Sequence, residues 1–160
     1  MAAQNVAVRI SAKSDYAVRA VIVLAAANSE GPVTAETIAH SQEIPLKFLL
    51  NILSELKIGR IVMSHRGAHG GFQLARPAAE ITVADVIRAM EGPLASVHEI
   101  LPENITYPPP SESLRQVWVA VRASLRSVLE RVTIADLASG SLPEEVLALN
   151  ASPEAWSARS

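Results

Sequence analysis

The 160-residue chain contains no cysteine. That excludes disulfides, thiolate nucleophiles, cysteine-held zinc and thiol redox sensing. No apolar run reaches the ~20 residues needed to cross a bilayer; the most apolar stretch, residues 17–27, carries Arg19 and stops at Asn28. Met1-Ala2-Ala3-Gln4-Asn5 lacks the basic cap and apolar core of a secretion signal, so a cytoplasmic protein with no membrane partner is expected. The Walker lysine–serine pair and the dinucleotide fingerprint are absent, as are a nucleophile–base pair and a carboxylate dyad beside a glycine loop. Nothing therefore points to an enzyme. The net charge of −2 argues against an indiscriminate polyanion binder.

What is present is an apolar fraction of 49%, enough for a folded core. Charge is unevenly spread. Residues 1–77 hold eight Lys/Arg against five Asp/Glu, whereas residues 78–160 hold six against eleven. The first half is thus suited to face phosphate. Arginine outnumbers lysine 11 to 3 and alanine is abundant, a composition that fits a GC-rich bacterial genome.

Residues 32–77 are the most informative. Ser11 or Ser14 can cap a first helix running to about Ala27, with Tyr16, Ala17, Ala20, Val21, Leu24 and Ala27 on one face. Residues 28–32 form a loop. Thr34 then caps a short helix over residues 35–41. A second helix begins at Pro45, whose missing N–H suits a first helical position. Phe48, Leu49, Ile52, Leu53 and Leu56 make its buried stripe, while Leu46, Lys47, Leu50, Asn51, Ser54 and Lys57 lie toward the other side. Asparagine can bond an adenine edge, lysine can reach guanine or phosphate, and Leu50 can touch a thymine methyl. A solvated helix face is the alternative.

Two short strands follow, Ile61-Val62-Met63-Ser64 and Phe72-Gln73-Leu74. Between them, His65-Arg66-Gly67-Ala68-His69-Gly70-Gly71 forms a flexible basic tip, because Gly67, Gly70 and Gly71 permit backbone angles closed to other residues. An arginine on such a tip can enter a minor groove. Helix, turn, helix and basic wing together form a shape that fits duplex DNA. The spacing of His65 and His69 within a loop does not build a metal site, and no metal is expected.

Beyond the wing, Thr82-Val83-Ala84-Asp85 reads as a capping box opening a helix to Met90, stopped by Gly92-Pro93. Residues 94–113 are irregular, with Pro102 and the Pro108-Pro109-Pro110 run. A long helix is expected over residues 111–132. Its Leu114, Trp118, Val121, Leu125, Val128 and Val132 are spaced as a heptad seam. The seam suits a matching helix from a second copy across a twofold axis, or packing on the first helix of the same chain. A last short helix spans residues 143–149, and the tail after Asn150 is expected to fray. The reading is mostly α with a small β-hairpin, in three parts: residues 1–93 as a winged helix-turn-helix domain, 94–113 as a connection, and 114–160 as a dimerisation helix with its tail.

The chain resembles the Rrf-two family of bacterial winged-helix regulators. The resemblance lies in ISAKSDYAVRA (residues 10–20), IPLKFLLNIL (44–53), RGAHGGFQLARP (66–77), ITVADVIRAMEGP (81–93) and VTIADL (132–137). It implies a homodimer on a pseudo-palindromic operator, with the helix from Pro45 in the major groove and the wing in the minor groove. Contacts are then expected from Arg9, Thr34, Pro45, Leu46, Lys47, Leu50, Asn51, Arg60, Arg66, Gly67, His69, Gly70 and Gly71. Many relatives hold an iron–sulfur cluster through three cysteines between the Gly-Pro turn and the long helix. Residues 94–113 contain none, and serine, histidine and glutamate do not replace thiolates. No cofactor is expected; a small-molecule or protein effector near that connection is the expected signal. A winged-helix protein-interaction module that never meets DNA is the rival reading.

Overall fold

A computed structural model describes residues 9–27 and 30–158. The expectations for Met1-Ala2-Ala3-Gln4-Asn5, and for Asn28 and Ser29 of the first loop, fall outside the described residues.

Helix α1 (Ala12–Ala26) starts where Ser11 Oγ accepts from the Ser14 N–H. Ser11 is therefore the cap, and Ser14 is buried one turn in. Ala17, Ala20, Val21 and Leu24 are buried, with Tyr16, Val18, Ile22 and Val23 half-buried around them. α1 is the central rod of the head: α2 (Ala35–Gln42), α3 (Leu46–Ile58), α4 (Val83–Glu91), α6 (Ile134–Ser139) and strand β2 (Gly71–Leu74) all pack on it. Its small alanines permit that close approach.

The hairpin pairs β1 (Val62–His65) antiparallel with β2 (Gly71–Leu74), in the register Val62↔Leu74 to His65↔Gly71. A third short segment joins it. Val33 exchanges both backbone hydrogen bonds with Phe72, at 2.9 and 2.8 Å. The wing is thereby tied to the residue just before the cap of α2.

α4 opens on the expected capping box: Thr82 Oγ1 accepts from the Asp85 N–H and Asp85 Oδ2 accepts from the Thr82 N–H. Thr133 and Asp136 repeat the device at α6. The two caps face each other, since Val83 N–H donates to Val132 O and Ile134 N–H to Ile81 O.

Several expectations are corrected. Pro45 is the residue before α3, not its first residue, and its carbonyl accepts from the Phe48 and Leu49 N–H groups. The long helix α5 spans Leu114–Leu129, shorter at both ends than residues 111–132. At its C-terminal end, the extended pairing of Val132 with Val83 replaces further helical turns. Val132 is buried inside its own chain and lies beyond the helix, so it does not extend an exposed seam. Ile134 and Leu137 join the core around α1, so the head's core reaches past residue 93 and includes α6. The tail carries α7 (Glu144–Asn150) and a 3-10 turn (Pro153–Trp156), where Trp156 Nε1–H donates to Asn150 O at 2.7 Å.

Candidate nucleic-acid interface

The turn into α3 is built by residues 43–45. Glu43 closes α2 in the left-handed region at φ 53°, and Ile44 N–H reaches back to Ala39 O at 2.9 Å. Ile44 itself is buried. This wrap fixes α3 across the head. Leu49, Ile52, Leu53 and Leu56 anchor its inner face. Lys47, Asn51 and Ser54 form its outermost ridge, flanked by Leu46 and Leu50, and all five are exposed.

Phe48 departs from its expected place. It is 63% exposed and not part of the buried stripe. The other four stripe residues close the inner face without it, because at 100° per residue Phe48 sits well off their centre.

At the wing tip, residues 66–70 close with Gly70 N–H donating to Gly67 O at 3.0 Å. Gly67 holds φ +102°, which an L-residue rarely adopts. Gly71 meets a different demand: a Cβ there would stand 2.6 Å from Val33 O, on the strand that holds the wing down. Arg66 and His69 are exposed on the tip. Thr34 lies at the wing base, its Oγ1 accepting from the Thr37 N–H at 3.2 Å.

The head's cations divide cleanly. Lys13 pairs with Glu55 at 2.7 Å, Arg19 with Asp15 at 3.1 Å, and Arg76 with Asp85 at 3.4 Å. Arg9, Lys47, Lys57, Arg60 and Arg66 form no ion pair among the described residues. Lys47, Lys57, Arg60 and Arg66 belong to α3, the turn after it and the wing. Lys57 and Arg60 line an open groove of about 780 Å³ between the end of α3 and β1, with Met63, Ser64 and Arg76. Arg9 is not brought to this surface by the same elements. It borders a second cavity of about 390 Å³ with Ser11, Ser14, Glu91, Leu94 and, from α5, Val121 and Leu125. There the Glu91 carboxylate accepts from the Ser11 and Ser14 hydroxyls.

The face so assembled joins an exposed helix ridge, a basic glycine tip and unneutralised cations. It can neutralise phosphate while presenting amide, ammonium and apolar groups to base edges. Comparison with known proteins agrees. The family model described as "Rrf2: Iron-dependent Transcriptional regulator" matches residues 10–140. The chain belongs to the Rrf2 family. A Mycobacterium tuberculosis (strain H37Rv) protein named as an HTH-type transcriptional regulator is 51% identical over 141 residues, covering 88% of both chains. The HTH-type transcriptional regulator CymR of Bacillus subtilis is 34% identical over 131 residues, 82% of this chain and 90% of that one. The solved structure of B. subtilis CymR, described as its global cysteine regulator, aligns with TM-score 0.72 at 31% identity, covering 84% and 98% of the two chains. That of T. potens IscR aligns at 0.68 and 30% identity, covering 95% and 93%. This Rrf2 chain is a DNA-binding transcriptional regulator with a winged helix, not an enzyme.

The family description names iron. The donors here do not fit a cysteine-held cluster: the chain has no thiolate. Among the described residues, no three His, Asp or Glu side chains converge as a metal site. Side chains of the connection bond instead to α5 of the same chain. Trp118 Nε1–H donates to Tyr107 Oη at 3.0 Å, and Arg122 pairs with Glu103 at 2.5 Å. From sequence, Lys57 is expected on the outer face but not among the contacts, Phe48 is expected in the buried stripe, and the Glu91 hydroxyl network is not expected at all. Only Phe48 had a readable signal, its offset from the other stripe positions.

Proposed function

We propose that this Rrf2 protein is a cytoplasmic repressor that binds a pseudo-palindromic operator as a homodimer and works without an iron–sulfur cluster. One observation carries the reading: among the described residues, Lys47, Lys57, Arg60 and Arg66 of α3, its C-terminal turn and the wing form no ion pair, whereas Lys13 and Arg19 of α1, and Arg76 at the edge of the groove, are neutralised. Free cations around an exposed ridge are what phosphate contact requires. Lys47 and Asn51 read bases, helped by Leu46 and Leu50; Pro45 and Thr34 set the approach; Arg60, Arg66, Gly67, His69, Gly70 and Gly71 meet the backbone and minor groove; Arg9 adds charge beside α1.

The homodimer reading rests on α5. No residue of that helix is fully buried in its own chain. Leu114, Trp118, Val121, Leu125 and Val128 are each half-buried, and Val117 is 51% exposed. A second copy of α5 would cover that surface. The 390 Å³ cavity favours a small-molecule effector over a protein one, since it is of ligand size and joins α1 and α4 of the head to α5.

The test is sedimentation at micromolar concentration together with a gel shift on the duplex upstream of its own gene. The expected result is a twofold subunit mass and a retarded band that weakens steeply with salt. A single-subunit mass with no shift at low salt would sink the proposal, leaving a protein-interaction module.

A further inference from the structure

The outer surface of α3 is more apolar than phosphate contact or hydrogen-bonded base reading requires. Leu46, Phe48 and Leu50 are 38%, 63% and 48% exposed, on either side of the Lys47–Asn51–Ser54 ridge. Leu46 and Leu50 lie one turn apart on one side, and Phe48 on the other. Lys47, which forms no ion pair among the described residues, sits between them, and Arg66 stands on the wing. An exposed phenylalanine beside free cations has one complementary surface in keeping with that charge: a groove of duplex DNA.

We infer that this regulator reads its operator largely through pyrimidine C5-methyl groups, with Phe48 as a specificity-determining residue. The inference rests on the DNA-binding reading above and adds the chemistry of what is read. In the major groove, guanine, cytosine and adenine edges present donors and acceptors, whereas thymine adds a methyl group. Pressing Phe48 or Leu50 against N7, O6 or N4 groups would leave those groups desolvated and unpaired, which is unfavourable. Against a methyl group the same contact is favourable. Apolar residues on a reading helix therefore select positions that carry the methyl and reject those that do not. Deoxyribose is the other apolar surface of the duplex, but contact with it would be indifferent to sequence.

The experiment compares two versions of one duplex, recovered from a randomised pool by the wild-type protein. One is synthesised with thymidine and the other with deoxyuridine at every thymidine position. The wild-type protein is expected to bind the deoxyuridine duplex about fourfold more weakly for each methyl contacted. That ratio follows from ~0.8 kcal/mol per buried methyl-sized group, with 1.4 kcal/mol being tenfold. Phe48→Ala is expected to weaken binding to the thymidine duplex and shrink the thymidine-to-deoxyuridine ratio, at an unchanged thermal midpoint, because the side chain is exposed. Leu50→Ala should shrink the ratio in the same way, and Asn51→Ala should leave it intact. Equal wild-type affinity for the two duplexes overturns the inference and leaves DNA binding standing. Equal loss on both duplexes with Phe48→Ala assigns that ring to deoxyribose and overturns its role in specificity. If no duplex is recovered, the DNA-binding reading falls with it.

Discussion

Arg60 holds φ +58° directly after Gly59, which keeps an ordinary helical φ of −71°. Helices usually end the other way round, with glycine taking the left-handed angle. The reason lies elsewhere in the chain: a Cβ on Gly59 would stand 3.0 Å from Ala89 Cβ, so the packing of α3 on α4 requires the glycine one position early. The left-handed position then falls to Arg60, and Ile61 N–H closes the turn on Leu56 O at 2.9 Å. A left-handed angle costs an L-residue roughly 1–2 kcal/mol. Arg60 is also one of the cations beside the wing that form no ion pair among the described residues, so strain sits where the charge is useful. Arg60→Gly is expected to raise stability by about 1 kcal/mol, the left-handed cost less glycine's extra chain entropy. It should also weaken duplex binding. A urea unfolding midpoint and a duplex titration on the same preparation test both signs. A less stable variant, or one that binds DNA as tightly, contradicts the argument. Neither the strain nor its cause is legible in Gly59-Arg60 alone, because Ala89 is thirty residues away.

Elements whose signals are local could be read from sequence. Ser11, Thr34 and Thr82 cap the helices they were expected to cap, since a cap needs only residues within one turn. Thr133-Ile134-Ala135-Asp136 carries the same box as Thr82–Asp85 and could have been read in the same way. What failed had two sources: Val132 left α5 to pair with Val83, a distant partner, whereas Phe48 failed on a local signal, its offset from the centre of the stripe. The docking of α5 on the connection is another non-local feature, and its Glu103–Arg122 pair is expected to respond to pH. The Glu103 carboxyl is held below its ordinary value of 4.5, first by its own backbone N–H and then by the Arg122 guanidinium. A lowered folded value means the contact is intact above 4.5 and is lost as pH falls through the lowered value. Trp118, one turn before Arg122 and bonded to Tyr107, reports on this contact. In a Trp156→Phe background, its fluorescence should stay flat from neutral pH down to 4.5 and change only below. Glu103→Gln should abolish that acid step; an unaltered step would assign the transition to another group.

Across the whole molecule, the chain leaves the head through residues 94–113, runs along α5 and returns to the head with α6. Composition alone suggested a boundary after residue 93, because Gly92-Pro93 and the proline-rich stretch look like a linker. The return of Ile134 to the core beside α1 could not be read from it. This closed path ties α5 to the head at both of its ends, and with it one head to the other if two copies join there. Salt dependence measures that arrangement directly. Each phosphate contact made by an arginine adds about 0.9 to the slope of log K against log salt on B-form DNA. Arg66 stands exposed on the wing tip and forms no ion pair among the described residues. In a homodimer with both wings engaged, Arg66→Ala should therefore lower the slope by about 1.8, twice the single-contact value. It should also weaken all sequences alike, since a tip arginine on phosphate carries no base code. Duplex titrations over a salt series give the number. An unchanged slope removes Arg66 from the contacts, and a drop of about 0.9 means only one wing is seated, which is incompatible with a symmetric dimer spanning two half-sites.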